Sequence, residues 1–192
     1  MSIVVAVQKD RKLAMAADSL QCYGSMGIPA GNSLDVKIRK IGSAWLGATG
    51  WSLYENILDD FVKRQKNLSL TNRQNIFAFF MKLWKDLHKS YSFVNDQCDD
   101  TNSPFGDLDS SFLIMNSGGI FHVAGDMGIS KFEKYHAVGS GHVFAMGALY
   151  ALYDSDLDAE GLARKGVETA CAFDVNCGGE IQVVTMNLRK NA

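Results

Sequence analysis

The sequence predicts a four-layer α/β (α+β) fold, in which two antiparallel sheets pack face to face and a pair of helices covers each outer face. Two observations predict it: apolar runs of strand length are grouped together, and helical apolar patterns come in pairs. The order is strands, two helices, strands, two helices and a last strand, and elements grouped in this way pack most economically in layers. With 192 residues, 47% hydrophobic and 21% charged, we expect a single domain over residues 1–192.

The first two predicted strands form a hairpin at the start of the chain. Residues 3–7 and 13–17 are runs of small and β-branched apolar side chains, and the residues between them are polar. This pattern is typical of two buried strands joined by a tight turn. Because the first run starts directly behind Met1 and Ser2, we expect no leader segment. Removal of Met1 would give Ser2 a free α-amine beside its hydroxyl, which is a base and a nucleophile on one residue.

The next elements are a loop, two short strands and two helices. The loop is predicted over residues 19–34, which are rich in Gly, Ser and Asn. Residues 36–41 alternate apolar and basic side chains, and residues 44–49 form a small-residue strand that pairs with them. Apolar residues then recur at helical spacing over residues 51–66 and 72–91, which predicts two amphipathic helices.

The second half of the chain begins with an acidic loop over residues 95–106 and then returns to strand and helix patterns. The strands are predicted over residues 111–115, 120–124, 132–138 and 181–186. The helices are predicted over residues 142–153 and 158–173. Asp158 is placed to cap the last helix, because a carboxylate there accepts a hydrogen bond from the free N–H groups of the first turn.

Composition excludes several classes of function. The net charge is −2 and the basic residues are scattered, which argues against nucleic-acid binding. No apolar run approaches the roughly 18 residues of a membrane-spanning helix, and no signal peptide pattern is present, so we expect a soluble cytoplasmic protein without membrane contact. The four cysteines form no C-x-x-C pair and the four histidines lie far apart, so we expect reduced thiols, no metal and no cofactor, and assign the histidines no role.

Six features, taken in order, resemble proteasome β-type subunits and the bacterial HslV peptidase. They are the opening strand, Ala17-Asp18-Ser19, the strand from Lys37 to Ile41, Gly47 to Gly50 before a helix, Ala137 to Gly141 before another helix, and Asp174-x-x-Cys177-Gly178-Gly179 before the last strand. Each is weak alone, but together they cover nearly the whole chain. The chain is identified as a member of this superfamily and so is similar to the N-terminal nucleophile (Ntn) hydrolases, whose fold is a four-layer αββα sandwich.

The resemblance implies roles for seven residues. Ser2 stands at the family's N-terminal nucleophile, Asp18 and Lys37 at the charged pair beside it, and Gly50 at the backbone N–H that holds the oxyanion. The positions of the polar network around the terminal amine are occupied by Ser140, Asp174 and Cys177. The sequence departs from the family twice: Ser2 replaces the usual Thr and Cys177 replaces the usual Ser. We expect Cys177 to be a small buried substitute and not a nucleophile.

The resemblance also implies an activity and an assembly. It implies a self-compartmentalising peptidase that acts through an acyl-enzyme on peptides or unfolded proteins. Stacked hexameric or heptameric rings of identical subunits would enclose the active sites, and an unfolding ATPase of the AAA+ class would be the partner. Two alternatives stay open at this point: a catalytically silent ring or scaffold subunit that keeps Met1, and an Ntn amidohydrolase of small amides.

Overall fold

The structure of the chain is a computed structural model that describes residues 2–28, 32, 35–91 and 107–189. The strands are β1 (Ile3–Lys9), β2 (Lys12–Asp18), β3 (Gln21–Tyr23), β4 (Met26–Ile28), β5 (Ile38–Ile41), β6 (Ala44–Gly50), β7 (Ser110–Asn116), β8 (Gly119–Val123), β9 (Ile129–Phe132), β10 (Tyr135–Gly139) and β11 (Ile181–Asn187). The helices are α1 (Ser52–Arg64), α2 (Arg73–Ser90), α3 (His142–Leu152) and α4 (Ala159–Phe173).

Two sheets form the centre of the molecule, and every strand pairing in them is antiparallel. The first sheet has the order β10-β1-β2-β11 and the second has the order β5-β6-β7-β8-β9. The short strands β3 and β4 pair only with each other. The predicted pair of antiparallel sheets is confirmed.

Three apolar cores separate the layers. One lies between the second sheet and helices α1 and α2, and another lies between the first sheet and helices α3 and α4. The third joins the two sheets through side chains such as Val4, Met15, Leu113 and Met115. Because β1 and β2 face a core on both sides, both of their alternating faces are apolar, which is why they appear in the sequence as continuous apolar runs. The predicted four-layer αββα arrangement is therefore confirmed.

Helices α2 and α4 begin at residues whose side chains cap them. Asn72 accepts a hydrogen bond from the Asn75 N–H at the start of α2, and Asp158 accepts one from the Gly161 N–H at the start of α4. Each cap satisfies one of the N–H groups that the first helical turn leaves without an intrahelical partner. The predicted cap at Asp158 is confirmed.

Two sequence predictions about the elements are wrong. Part of the loop predicted over residues 19–34 is a hairpin, in which β3 and β4 meet at Gly24 with its φ of +61°. The two strands were missed because each has only three residues, none of them buried, and so shows no periodicity. The single strand predicted over residues 132–138 is two strands, because the exposed residues Glu133 and Lys134 carry the chain from β9 in the second sheet to β10 in the first.

Two further expectations from the sequence concern the acidic loop and membrane-spanning helices. The acidic loop predicted over residues 95–106 lies outside the described residues. Among the helices that the structure describes, none is both long and apolar enough to cross a membrane.

The close approach of the two sheets at Gly47 gives a stability prediction. A Cβ atom on Gly47 would lie 2.5 Å from Val4 Cγ1 and 3.2 Å from Met15 Sδ, so Gly47→Ala must push the sheets apart. We expect the free energy of unfolding to fall by about 1 to 3 kcal/mol in urea denaturation at fixed protein concentration.

The matched control is Gly147→Ala in α3, where a Cβ would meet no atom within 4 Å. Because alanine favours a helix over glycine, this variant should be more stable by up to about 1 kcal/mol. A Gly47→Ala protein as stable as the parent would contradict the close packing at this position.

Candidate active site

A cleft of about 1180 Å³ opens where strands of both sheets end. Four of the seven predicted site residues line it: Ser2 ahead of β1, Lys37 ahead of β5, Gly50 at the end of β6 and Ser140 after β10. The other three do not line the cleft but contact residues that do: Asp18 contacts Lys37, and Asp174 and Cys177 contact Ser140. The fold therefore brings all seven together, although they are spread from one end of the chain to the other.

The backbone of Ser2 is held on both sides. The Ser140 hydroxyl oxygen lies 3.5 Å from the Ser2 carbonyl oxygen, and the N–H of Ile3 donates to Asp18 Oδ1 over 3.0 Å. Gly139, with a φ of +104°, lies so close that a Cβ on it would be 2.1 Å from the Ser2 carbonyl oxygen. Only glycine fits there, because a side chain would be both strained and in collision. Ser2 is thus buried, 6% exposed, in a fixed position.

A buried ion pair lies beside Ser2. Lys37 Nζ donates to Asp18 Oδ1 over 2.7 Å and to the carbonyl of Leu20 over 2.8 Å, and both charged side chains are almost completely buried. The second carboxylate oxygen of Asp18 accepts from the Gly178 N–H over 3.0 Å. A buried ion pair is tolerated when such hydrogen bonds satisfy the groups that have lost water. Since Asp18 Oδ1 also receives the Ile3 N–H, one carboxylate links Lys37 to the backbone that follows Ser2.

A polar network extends behind Ser140. Its hydroxyl lies 3.9 Å from Cys177 Sγ and hydrogen-bonds to Asp174, which also accepts from Cys177 and twice from Asn176. Burial alone raises the pKa of Asp174, but the hydrogen bonds from Ser140, Asn176 and Cys177 outweigh it and lower that pKa. Burial, followed by the charges of Asp18 and Asp174, raises the pKa of Cys177 to about 12. Cys177 is therefore a neutral thiol at physiological pH, unsuited to act as a nucleophile.

The register of β6 determines where the Gly50 N–H points. The Ala48 N–H donates to the Lys37 carbonyl on the β5 side, and N–H groups two residues apart in a strand point the same way. The N–H of Gly50 therefore points away from β7, past the beginning of β5. Gly50 and its β7 partner Ser110 are then a non-hydrogen-bonded pair, the type in which Cα atoms are closest. Accordingly, a Cβ on Gly50 would meet the Ser110 hydroxyl, and the φ of +132° also favours glycine.

Three histidines were missed by the sequence analysis. His122 on β8 and His136 on β10 come from different sheets, yet their ring centroids are 4.9 Å apart, and both line the cleft with His142. Burial, followed by the neighbouring His122 and His142, lowers the pKa of His136 to about 4, and burial lowers the pKa of His122. Both imidazoles are neutral near pH 7. The spacing of these histidines along the sequence did not indicate a shared site, because the rings meet only through the packing of the two sheets.

A second missed group lies beside Gly50 and consists of Trp51, Asp107, Asp109 and Ser110, all of which line the cleft. Within the described ranges, no three His, Cys, Asp or Glu side chains are placed to hold a metal ion. The thiols of Cys22, Cys171 and Cys177 are free. Cys98 lies outside the described residues.

The sequence match to a known relative covers only part of each protein. No family model matches the sequence. Over 87 residues the chain is 36% identical to the proteasome subunit beta of Nanoarchaeum equitans, and the match covers 44% of this chain and 44% of that subunit. The match therefore spans less than half the length of the archaeal protein.

Similar solved structures cover nearly the whole chain. BPH of Thiobacillus denitrificans, solved in complex with epoxomicin, is 31% identical with a TM-score of 0.89, over 98% of this chain and 100% of that one. Eukaryotic HslV from Trypanosoma brucei is 19% identical with a TM-score of 0.67, over 96% and 99% of the two chains, and this likeness concerns the fold alone. With the archaeal subunit matched in sequence and BPH matched along its full length, the chain belongs to the proteasome β-subunit and HslV family of Ntn hydrolases.

Proposed function

We propose that this chain is a peptidase whose nucleophile is the Ser2 hydroxyl, exposed with a free α-amine after removal of Met1. The observation that carries the proposal is the arrangement around Asp18. One buried carboxylate oxygen binds both the Lys37 ammonium and the N–H that follows Ser2, at the wall of a cleft large enough for a peptide. A serine with this environment has the parts that an N-terminal nucleophile requires.

The α-amine of Ser2 is the general base in this mechanism. An unperturbed α-amine has a pKa of roughly 7.7 to 8.0, so it is partly protonated near pH 7. The neighbouring Lys37 ammonium disfavours a second positive charge, which lowers the pKa of the amine and keeps it neutral. The neutral amine accepts the proton of the Ser2 hydroxyl as its oxygen attacks the peptide carbonyl. It then delivers that proton to the leaving amine.

The Gly50 N–H stabilises the oxyanion that forms in this attack. Its direction away from β7, inferred from the register of β6, supports this role because the donor is then not used in the β6–β7 ladder. Single donors of this kind contribute about 3 to 4 kcal/mol to transition-state stabilisation in other hydrolases. Water activated by the same α-amine then hydrolyses the ester between Ser2 and the acyl group, which regenerates the enzyme.

The assembly follows from the family and from the chemistry. We propose stacked hexameric or heptameric rings in the cytoplasm, with an AAA+ unfolding ATPase that supplies unfolded chains. A peptidase with an open cleft would otherwise degrade folded neighbours through their exposed loops. The chain itself carries no nucleotide-binding motif. The natural substrates are then peptides and unfolded proteins.

Substitution of Ser2 tests the nucleophile. Ser2→Ala should abolish peptide hydrolysis while the native mass of the assembly is retained. Ser2→Thr should be at least as fast as the parent, because the β-branched side chain restricts χ1 and reduces the entropy lost in holding the attacking rotamer. Fluorogenic peptide turnover is the measurement.

The control for loss of a hydroxyl is Ser130→Ala, at an exposed position of β9, which should leave turnover unchanged. Epoxomicin, the compound bound in the BPH structure, should inhibit the parent protein. Unchanged hydrolysis in Ser2→Ala would remove Ser2 from the mechanism.

The buried ion pair gives a separate prediction about stability. Asp18→Ala leaves the Lys37 ammonium buried without its carboxylate, so the free energy of unfolding should fall by about 3 to 5 kcal/mol. The double variant Asp18→Ala with Lys37→Met removes the stranded charge and should recover part of this loss, yet remain inactive.

The matched control is Lys165→Met, which breaks an exposed ion pair with Glu168 and should cost at most about 1 kcal/mol. All variants are compared by urea denaturation at one protein concentration, because assembly contributes to apparent stability. Equal losses for the buried and the exposed pair would contradict the account of Asp18.

A further inference from the structure

His142, the first residue of α3, holds its ring in a fixed orientation at the wall of the cleft. The side chain is exposed and lines the cleft together with Ser2 and Ser140. Its Nδ1 lies 2.7 Å from the carbonyl oxygen of Gly139, the last residue of β10. The hydrogen bond therefore ties the ring to the backbone of the strand that precedes the helix.

The partner of Nδ1 determines which nitrogen of His142 carries the proton. A carbonyl oxygen can only accept a hydrogen bond, so Nδ1 is the donor. A neutral imidazole has a single N–H, which leaves Nε2 as an acceptor. Among the residues that the structure describes, none hydrogen-bonds to this nitrogen. In its neutral form His142 therefore presents an unused acceptor in a fixed position.

Gly139 connects His142 to the proposed nucleophile. The residue whose carbonyl receives the His142 bond packs so closely on Ser2 that a Cβ on it would lie 2.1 Å from the Ser2 carbonyl oxygen. The next residue, Ser140, has its hydroxyl oxygen 3.5 Å from the same carbonyl oxygen. An extended peptide advances about 3.3 Å per residue, so a substrate attacked by Ser2 reaches His142 within a few residues.

The proposed mechanism determines which half of the substrate passes His142. In that mechanism the scissile carbonyl directs its oxygen to Gly50 in the second sheet, and the α-amine of Ser2 protonates the leaving nitrogen. The polar network that the family resemblance places around this amine includes Ser140, directly after β10 in the first sheet. The leaving nitrogen therefore points toward Ser140, and the chain that follows it runs toward His142.

We propose that His142 binds the leaving half of the substrate, with Nε2 accepting a hydrogen bond from a backbone N–H beyond the scissile bond. The inference rests on the proposed function, because the roles of Ser2 and Gly50 place the leaving half. Every residue except proline has a backbone N–H, so this contact suits substrates of many sequences.

Turnover of two substrate types separates substrate binding from a structural role. Both types share the residues before the scissile bond. One continues beyond it between a fluorophore and a quencher, and the other ends there in an aminomethylcoumarin amide. His142→Asn keeps a donor for Gly139 at the place of Nδ1 but has no atom at the place of Nε2. One neutral hydrogen bond contributes about fivefold, so kcat/KM should fall about fivefold for the continued peptide and stay unchanged for the coumarin amide.

The matched control is His88→Asn on α2. His88 is also exposed, and its Nδ1 lies 2.8 Å from the carbonyl oxygen of Trp84, but it is outside the described residues that line the cleft. This variant should hydrolyse both substrates at the parent rates. Equal losses for the two substrates in His142→Asn would show a structural role alone and overturn the inference, as would no loss for either substrate.

Binding to the Ser2→Ala protein tests the same contact without turnover. Fluorescence polarisation compares labelled peptides that continue past the scissile bond with peptides that end there as amides. His142→Asn in this background should weaken binding of the continued peptide about fivefold and leave binding of the shorter amide unchanged. The accepted N–H is found by N-methylating one position at a time. Its methylation should give the same loss, and the two changes together should cost no more than either alone.

The binding result decides the inference separately from the proposed function. Binding of the continued peptide that His142→Asn leaves unchanged overturns the inference. If the parent protein hydrolyses neither substrate and the fivefold binding loss is still found, the proposed function alone is overturned.

Discussion

The buried ion pair between Asp18 and Lys37 is the constraint on which the site depends. Asp18 ends β2 in the first sheet and Lys37 precedes β5 in the second, so their 2.7 Å contact joins the sheets where the cleft opens. Two charges without water must keep every hydrogen bond that satisfies them. These include the N–H groups of Ile3 and Gly178. The same requirement that stabilises the pair therefore fixes the backbone beside Ser2.

Two glycines shape the rest of the site from opposite sheets. Gly139 on β10 allows the chain to pass close to the Ser2 carbonyl, and Gly50 on β6 allows Ser110 to pack against the strand that carries the proposed donor to the oxyanion. Both have positive φ, so any other residue would be strained as well as crowded. Backbone packing thus sets the distance between Ser2 and Gly50, which are the proposed nucleophile and the proposed donor to the oxyanion.

Most of the fold was predictable because its signals are local. The continuous apolar runs of β1 and β2 and the helical periodicity of α1, α2 and α4 identify buried elements directly. The hairpin of β3 and β4 was not predictable, because each strand has only three residues and none of them is buried.

The site was predictable only in part. A family resemblance indicated seven residues, and the fold brings them together. Two groups have no pattern along the chain: His122 with His136, and the acidic group beside Gly50. Their side chains meet only because β8 and β10, or β6 and β7, bring distant segments into contact.

The most direct test of the account is the intact mass of protein purified from its native host, with a hydroxyl-directed covalent inhibitor of N-terminal hydrolases added to half of the sample. The account predicts a protein that lacks Met1 and carries one adduct, which peptide mapping assigns to Ser2. A protein that retains Met1 and gains no adduct would contradict it. The buried ion pair and the cleft would then belong to a structural subunit without catalytic activity.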